Sequence, residues 1–252
     1  MPIILAIETS AELASCALLT GEHAARKVLT RASSGVRTHS QSVLPMVQEL
    51  LGEAGVTLAQ VDAIAFGAGP GSFTGVRTAC GVAQGLAYGA NLPVLPLVTL
   101  EAMAEACRAR TGASEVLAVL DARMGEVYWA QYRYEDADGW REVLAPALSA
   151  PQDVAPLPAD GLRACGNGLS EYADAFAGKA FAQDAVLDIV PHARELALLA
   201  VAALAAGQGV PAAQAQPLYL RNKVAYTSAE RQAINVANAA ANAVAKSGQG
   251  AP

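Results

Sequence analysis

Apolar and polar positions fall in blocks along the chain, and the blocks read as a series of strands and helices. Ile3 to Ile7 is an unbroken apolar run suited to a central strand; it stops at Glu8-Thr9-Ser10, and a second strand follows around Ser15 to Thr20. Gly21-Glu22 turns the chain into a third strand ending near Arg31. Ser40 caps a helix to Leu51 with Val43, Val47 and Leu50 or Leu51 on one face, closed by Gly52 and Gly55. Val61 to Phe66 reads as a buried strand, followed by the loop Gly67-Ala68-Gly69-Pro70-Gly71 and a helix from Ser72 to about Tyr88. A short strand from Pro93 to Leu97 leads into a helix capped by Thr99.

The second half opens as the first does. Val116 to Leu120 is an apolar strand ending in an acid, Asp121, and it turns through Ala122-Arg123-Met124-Gly125 into a strand from Glu126 to Tyr134, the pattern of an internal duplication. A hairpin at Asp136-Ala137-Asp138-Gly139, a proline-rich crossing from Pro151 to Pro158, a strand into Gly166-Asn167-Gly168, and helices near Leu169 to Phe176 and Ala193 to Gly207 complete it. Two α/β halves of this kind imply two similar domains, 1–105 and 106–225, facing a cleft. The stretch 226–252 is rich in Ala and Asn with almost no large apolar anchor, so a frayed helix or disorder is expected there.

Composition narrows the function classes. A chain of 252 residues can bury a core without disulfides or metal staples. Hydrophobic residues make up 53% and charged ones 16%, with Ala and Gly prominent, so the interior is built from small side chains and its helices can approach closely. The net charge of −6 supplies no basic stripe to neutralise phosphates, so contact with RNA is expected only through a partner. Cys16, Cys80, Cys107 and Cys165 lie far apart with no C-x-x-C pair, and read as reduced core thiols. Met1 to Ile7 meets Glu8 at once without a basic region, which reads as a strand and not a secretion signal. Leu196 to Ala206 is shorter than the roughly 20 residues that span a bilayer. A cytoplasmic protein without membrane contact is expected.

The strongest local feature is the loop Gly67 to Gly71 with its helix start, where free backbone N–H groups could receive an anion. It matches neither G-x-x-x-x-G-K-[ST] nor G-x-G-x-x-G, the third glycine falling one residue late, so Gly69 and Gly71 serve either phosphate contact or close packing of strand and helix. In the helix that follows, Gly81, Gly85 and Gly89 recur every four residues, as do Gly75, Ala79, Ala83 and Ala87. Interior glycines each cost about 1 kcal/mol relative to Ala, so close contact with another helix, inside the domain or on a partner, should offset them. Glu8 and Asp121 end buried strands where an actin-like ATPase places its phosphate and magnesium groups. Neither Glu8-Thr9-Ser10 nor Asp121-Ala122-Arg123 has the glycine of Asp-x-Gly-Thr, which makes vestigial nucleotide turns the better reading. His39 has Val43 at the spacing of a helical metal pair, His23 and His192 stand alone, and no nucleophile-and-base arrangement is spelled out.

Five segments carry a resemblance: Ile4 to Ser10; His39-Ser40-Gln41 with Leu44-Pro45-Met46-Val47; Gly69 to Arg77; Leu120 to Tyr128; and Pro217-Leu218-Tyr219-Leu220-Arg221. In order and spacing they resemble the TsaB (YeaZ) family of tRNA threonylcarbamoyladenosine biosynthesis, over residues 3 to about 225. The resemblance implies a two-domain actin-like ATPase (ASKHA) fold, each half a mixed sheet flanked by helices. It further implies a non-catalytic subunit that binds and activates a larger paralogue, TsaD, together with a TsaE-type ATPase. ATP and metal are expected on those partners and not on this chain. Alone, it is expected to form a homodimer. The helix pair would supply the partner interface through Val43, Val47, Val76, Ala79, Ala83 and Ala87. That paralogue carries a His-x-x-x-His pair, of which this chain keeps His39 and replaces the second member by Val43. Two other classes stand beside this one: an ATP-using actin-like or sugar-kinase-type enzyme, and a glycoprotease-like metallopeptidase.

Overall fold

A computed structural model describes residues 2–21, 26–33 and 39–221. The apolar run at the start is β1, Ile4–Glu8, buried on both faces because it lies at the centre of a five-stranded sheet. It pairs antiparallel with β2 (Ala14–Thr20), which pairs with β3 (Lys27–Ser33). On its other side β1 pairs parallel with β4 (Ala63–Gly69), itself parallel to β5 (Val94–Val98). The order β3-β2-β1-β4-β5 is repeated, without its last strand, as β8-β7-β6-β9 in a second sheet made of β6 (Glu115–Asp121), β7 (Val127–Glu135), β8 (Gly139–Ser149) and β9 (Arg163–Cys165). There too the first three strands are antiparallel and the last pair is parallel, so the repetition legible in the sequence is a repetition of topology.

Alternation along β1 distributes its side chains to two cores. Leu5 and Ile7 face α1 (His39–Ala54) and α2 (Phe73–Ala90), packing with Val43, Val47, Leu50, Ala79, Ala83 and Ala87. Ile4 and Ala6 face α6 (Ala193–Ala205) through Leu196, Ala197 and Ala200. On the second sheet, Val116, Ala118 and Leu120 pack on α3 (Thr99–Thr111). Leu117 and Val119 pack on Leu169 of α4 (Gly168–Glu171) and Phe176 of α5 (Ala173–Phe176).

Four expectations need correction. The division at residue 105 is not a division of packing, because α6 returns from the second half to cover the first sheet, and Met1–Leu220 forms one compact unit. The helix expected over 169–176 is broken at Tyr172, whose φ of −119° is not helical. Thr99 is the first residue of α3 and not its cap; its side-chain oxygen is buried without a hydrogen-bond partner. The six residues assigned to a partner interface, Val43, Val47, Val76, Ala79, Ala83 and Ala87, are all buried within this chain, since a small-residue stripe lets α2 settle onto its own sheet. The stretch 226–252 and His23 lie outside the described residues. Among the described residues no helix is long and apolar enough to cross a membrane.

Candidate functional site

The first acid-ended turn is sealed. Glu8 is fully buried; its Oε1 accepts a hydrogen bond from the Ser10 amide at 2.5 Å, while Oε2 has no hydrogen-bond partner. Burial holds the Glu8 carboxyl above the ordinary carboxylate range, and the nearby polar groups, led by those of Ser10, only oppose it. A proton on Glu8 is the cheaper way to keep a carboxyl there, because an unpaired buried carboxylate costs several kcal/mol, on the order of a full desolvation penalty.

The glycine loop explains itself against this turn. A Cβ on Gly67 would lie 2.0 Å from Glu8 Oε2, one on Gly71 would lie 2.6 Å from Ser10, and one on Gly75 would lie 1.9 Å from the Thr9 carbonyl oxygen. Each glycine is bare because the first turn occupies the space where its side chain would go. Three N–H groups at the helix start that follows are committed as well. Ser72 N donates to Ser10 O at 2.7 Å, Val76 N to Ser72 O at 2.9 Å, and Gly75 N to the capping Ser72 hydroxyl at 3.4 Å. Thr9 Oγ1 donates to Gly75 O at 2.7 Å, closing the clamp. Gly69, at φ +112° before a cis peptide to Pro70, would place a Cβ 2.9 Å from Leu218 O.

The second acid-ended turn sets its acid against a cation. Asp121 has a side chain 5% exposed, and Oδ1 accepts from the Arg123 amide at 2.8 Å and from the Tyr172 hydroxyl at 3.0 Å. Its Oδ2 is 3.2 Å from Arg123 Nη1, and its amide donates to Asn167 Oδ1 at 3.1 Å. Arg123, Met124 and Gly125 all adopt positive φ, near 60°, 60° and 77°, so the backbone doubles back and aims the guanidinium at its own acid. The same guanidinium pairs through Nη2 with Glu12 from the loop after β1. Arg123 therefore ties the two turns together. The Glu12 contact is the main reason its guanidinium is held above the ordinary range, followed by Asp121.

His39 Nε2 lies 3.1 Å from the Glu12 carbonyl oxygen, while Val43 points into the core, so the two positions of a helical metal pair diverge. Among the described residues no three His, Cys, Asp or Glu side chains converge as metal ligands.

Two motifs far apart in sequence meet on α2. Arg77 stacks on Phe73, 3.6 Å from the ring centroid, and its Nε donates to the Tyr219 hydroxyl at 2.8 Å. The segment leading there is anchored by Ala215 O, which accepts from Gln84 Nε2 at 2.9 Å, and by Leu218 N, which donates to Ala68 O at 2.7 Å. The outward side of the helix pair is different in kind. Added side-chain carbons at Gly81, Gly85 and Gly89 would meet nothing within 4 Å. Among the described residues, large apolar side chains left in water include Tyr88 (84% exposed) on α2, Leu44 (47%) on α1 and Tyr219 (45%) beside them. Sequence reasoning singled out the face of α2 that packs on its own sheet, and it missed the roles of Glu12, Thr99, Asn167 and Tyr172. The period-four glycines were the available signal for the outer face, since a buried stripe favours Ala and only an open or closely approached one tolerates Gly.

The family model described as "TsaD: tRNA N6-adenosine threonylcarbamoyltransferase" matches residues 22–247. A Haemophilus influenzae protein named tRNA threonylcarbamoyladenosine biosynthesis protein TsaB is 39% identical, over 88% of this chain and 95% of its own. Its Escherichia coli namesake is 38% identical over 88% and 96%. The solved structure of YeaZ from Pseudomonas aeruginosa superposes with a TM-score of 0.79 at 41% identity, covering 87% of this chain and all of the other. With identities of 38% to 41% over nearly the whole of each relative, the chain belongs to the TsaB family of tRNA threonylcarbamoyladenosine biosynthesis proteins, within the wider TsaD-type family.

Proposed function

We propose that this chain is a non-catalytic subunit that binds and activates a TsaD-type threonylcarbamoyl transferase through the outer side of α1 and α2. In the absence of that partner, a second copy of the chain takes the same face. The observation that carries this reading is that, among the described residues, three of the five exposed large apolar side chains, Tyr88, Leu44 and Tyr219, lie on or beside a helix pair whose outer stripe is Gly81, Gly85 and Gly89. Bare backbone admits a facing helix closely, and exposed aromatic groups beside it are the usual anchors of such contacts.

A non-catalytic role is supported by the two turns. Glu8 is sealed and burial disfavours its charge, and Asp121 is paired with Arg123, so neither acid is free to manage phosphate or magnesium. In this reading ATP and metal belong to the TsaD-type and TsaE-type partners, and tRNA is engaged only by the assembled complex.

Gly85→Arg tests it. An added side chain there meets nothing within 4 Å in the isolated chain, so the variant is expected to fold with an unchanged or slightly raised Tm. It is also expected to lose co-purification with the TsaD-type protein of the same organism. Threonylcarbamoyladenosine, measured by mass spectrometry in tRNA from cells depleted of the native chain, should remain low. Normal modification by a folded Gly85→Arg variant would remove this face from the mechanism.

A further inference from the structure

Cys107 and Cys165 are 58 residues apart in sequence and adjacent in the fold. Cys107 lies on α3, the helix that joins the first sheet to the second, and Cys165 ends β9, the short edge strand of the second sheet. The Cys165 thiol donates to the Met103 carbonyl at 3.7 Å. In an α-helix that carbonyl accepts the amide of the residue four later, which is Cys107, so Cys165 Sγ sits against the turn that carries the second thiol. Both are free thiols in a shared apolar cluster with Met103, Ala104 and Ala118. Cys16 and Cys80 lie in a different cluster, on the first sheet.

We infer that Cys107 and Cys165 form a redox-closable pair, which a peroxide converts to a disulfide tying α3 to β9. Their ionisation favours one order of events. The close approach of Cys165, with Thr111 and the nearby Arg163 and Arg110, holds Cys107 below the ordinary thiol range against the opposing effect of burial, whereas the same approach and full burial hold Cys165 well above it. The Cys107 thiolate attacks one oxygen of hydrogen peroxide, the O–O bond breaks, and hydroxide leaves as water after taking a proton, giving a sulfenic acid. The Cys165 sulfur then displaces the hydroxyl from Cys107, the S–S bond forms, and the thiol proton leaves with that oxygen as a second water. Two thiols lose two electrons and two protons, and one peroxide becomes two waters.

Access comes through the end of α3. Ala109 to Thr111 are exposed, and the turn ends where Gly112, at φ +75°, donates to Arg108 O at 2.8 Å. Thr111 Oγ1 also donates to Cys107 O at 2.7 Å, so fraying of this last turn uncovers Cys107 without unfolding the sheet.

The test uses the full chain, reduced and then freed of reductant. It is treated with hydrogen peroxide natively and, separately, in denaturant, then alkylated and mapped by mass spectrometry without reduction. The expected native product is one linked peptide joining Cys107 to Cys165, lighter by two hydrogens than its reduced parts, with Cys16 and Cys80 recovered as alkylated thiols. The oxidised chain should melt at a higher temperature than the reduced one, and Cys107→Ser should abolish both the link and the shift. In Cys165→Ser the sulfenic acid should persist on Cys107, trapped by dimedone. Native oxidation that gives no more of this link than the denatured chain does, or a Cys165→Ser variant whose Cys107 stays unmodified, would overturn the inference.

Discussion

Glu8 ends β1 and Asp121 ends β6 at matching places in two sheets of repeated topology, and the chain deals with the two acids by opposite means. Around Glu8, three glycines bring a loop so close that water and counter-charge are excluded, and the carboxyl is left with an unpartnered oxygen and a raised pKa. Around Asp121, the corresponding loop also packs tightly, with a Cβ on Gly166 falling 2.1 Å from Val119 O, yet the acid collects an arginine, a tyrosine hydroxyl and a backbone amide. A duplicated backbone thus preserves the position of a group but not its electrostatics, which depend on whether a cation can reach it. Arg123 reaches Asp121 because its own turn doubles back; nothing comparable follows Glu8, where the chain continues into β2.

The largest effect should strike both halves alike. Gly75→Ala and Gly166→Ala drive a methyl group onto a backbone carbonyl that cannot rotate away, and Gly166 also has φ +115°. Each is expected to cost about 4 kcal/mol or more, or to prevent soluble expression, as read by circular dichroism and thermal melting. Survival of either with an unchanged Tm would mean that the loop does not clamp the acid-ended turn.

Next come the acids themselves, where the halves should part. Asp121→Asn removes the charge that pairs with Arg123 and is expected to lose about 1–3 kcal/mol in urea unfolding at neutral pH. Glu8→Gln keeps the shape of a buried carboxyl with an unpartnered oxygen and removes its ionisation, so it should lose little or gain. Equal losses at the two positions would erase the contrast drawn here.

The pH dependence has a definite sign. The Glu8 carboxyl is raised in the fold, so the folded chain holds a proton that the unfolded chain releases near its ordinary pKa. The resulting stability is fully present below the unfolded pKa and is lost as pH rises toward the folded one. Glu101, raised to about 7 by burial with help from Glu105 and Glu142, contributes a slope of the same sign that ends near pH 7. The difference in unfolding free energy between native chain and Glu8→Gln, followed with pH, isolates Glu8; it should shift in favour of the variant as pH rises.

The smallest effect belongs to the bridge between the turns. Arg123 and Glu12 are mostly exposed, so a double-mutant cycle with Arg123→Met and Glu12→Gln should give a coupling of at most about 1 kcal/mol, weakened further by salt.

Much of the fold was legible because its signals are local. Ile4 to Ile7 and Val116 to Leu120 are apolar on both faces, which only central strands require, and Ser72 caps α2 as its sequence position implies. The helix pair's inward stripe was also visible, but not its direction. Gly75, Ala79, Ala83 and Ala87 and the neighbouring Gly81, Gly85 and Gly89 have the same period, and periodicity cannot tell which small-residue row meets the sheet.

The sequence by itself determined the strand and helix order, the repetition of acid-ended strands, and the family, all properties of residue type at fixed spacing. Tertiary structure alone decided that α6 crosses back to the first sheet, that Glu8 is sealed while Asp121 is paired, that Arg77 meets Tyr219 and that Cys107 meets Cys165. Those pairings join positions between 2 and 142 residues apart, and even the nearest, Arg123 on Asp121, needs a backbone reversal through three positive φ angles. Hydrophobic pattern constrains which face of an element turns inward; which charges and thiols then meet depends on the distances left after the sheets and helices have closed on one another.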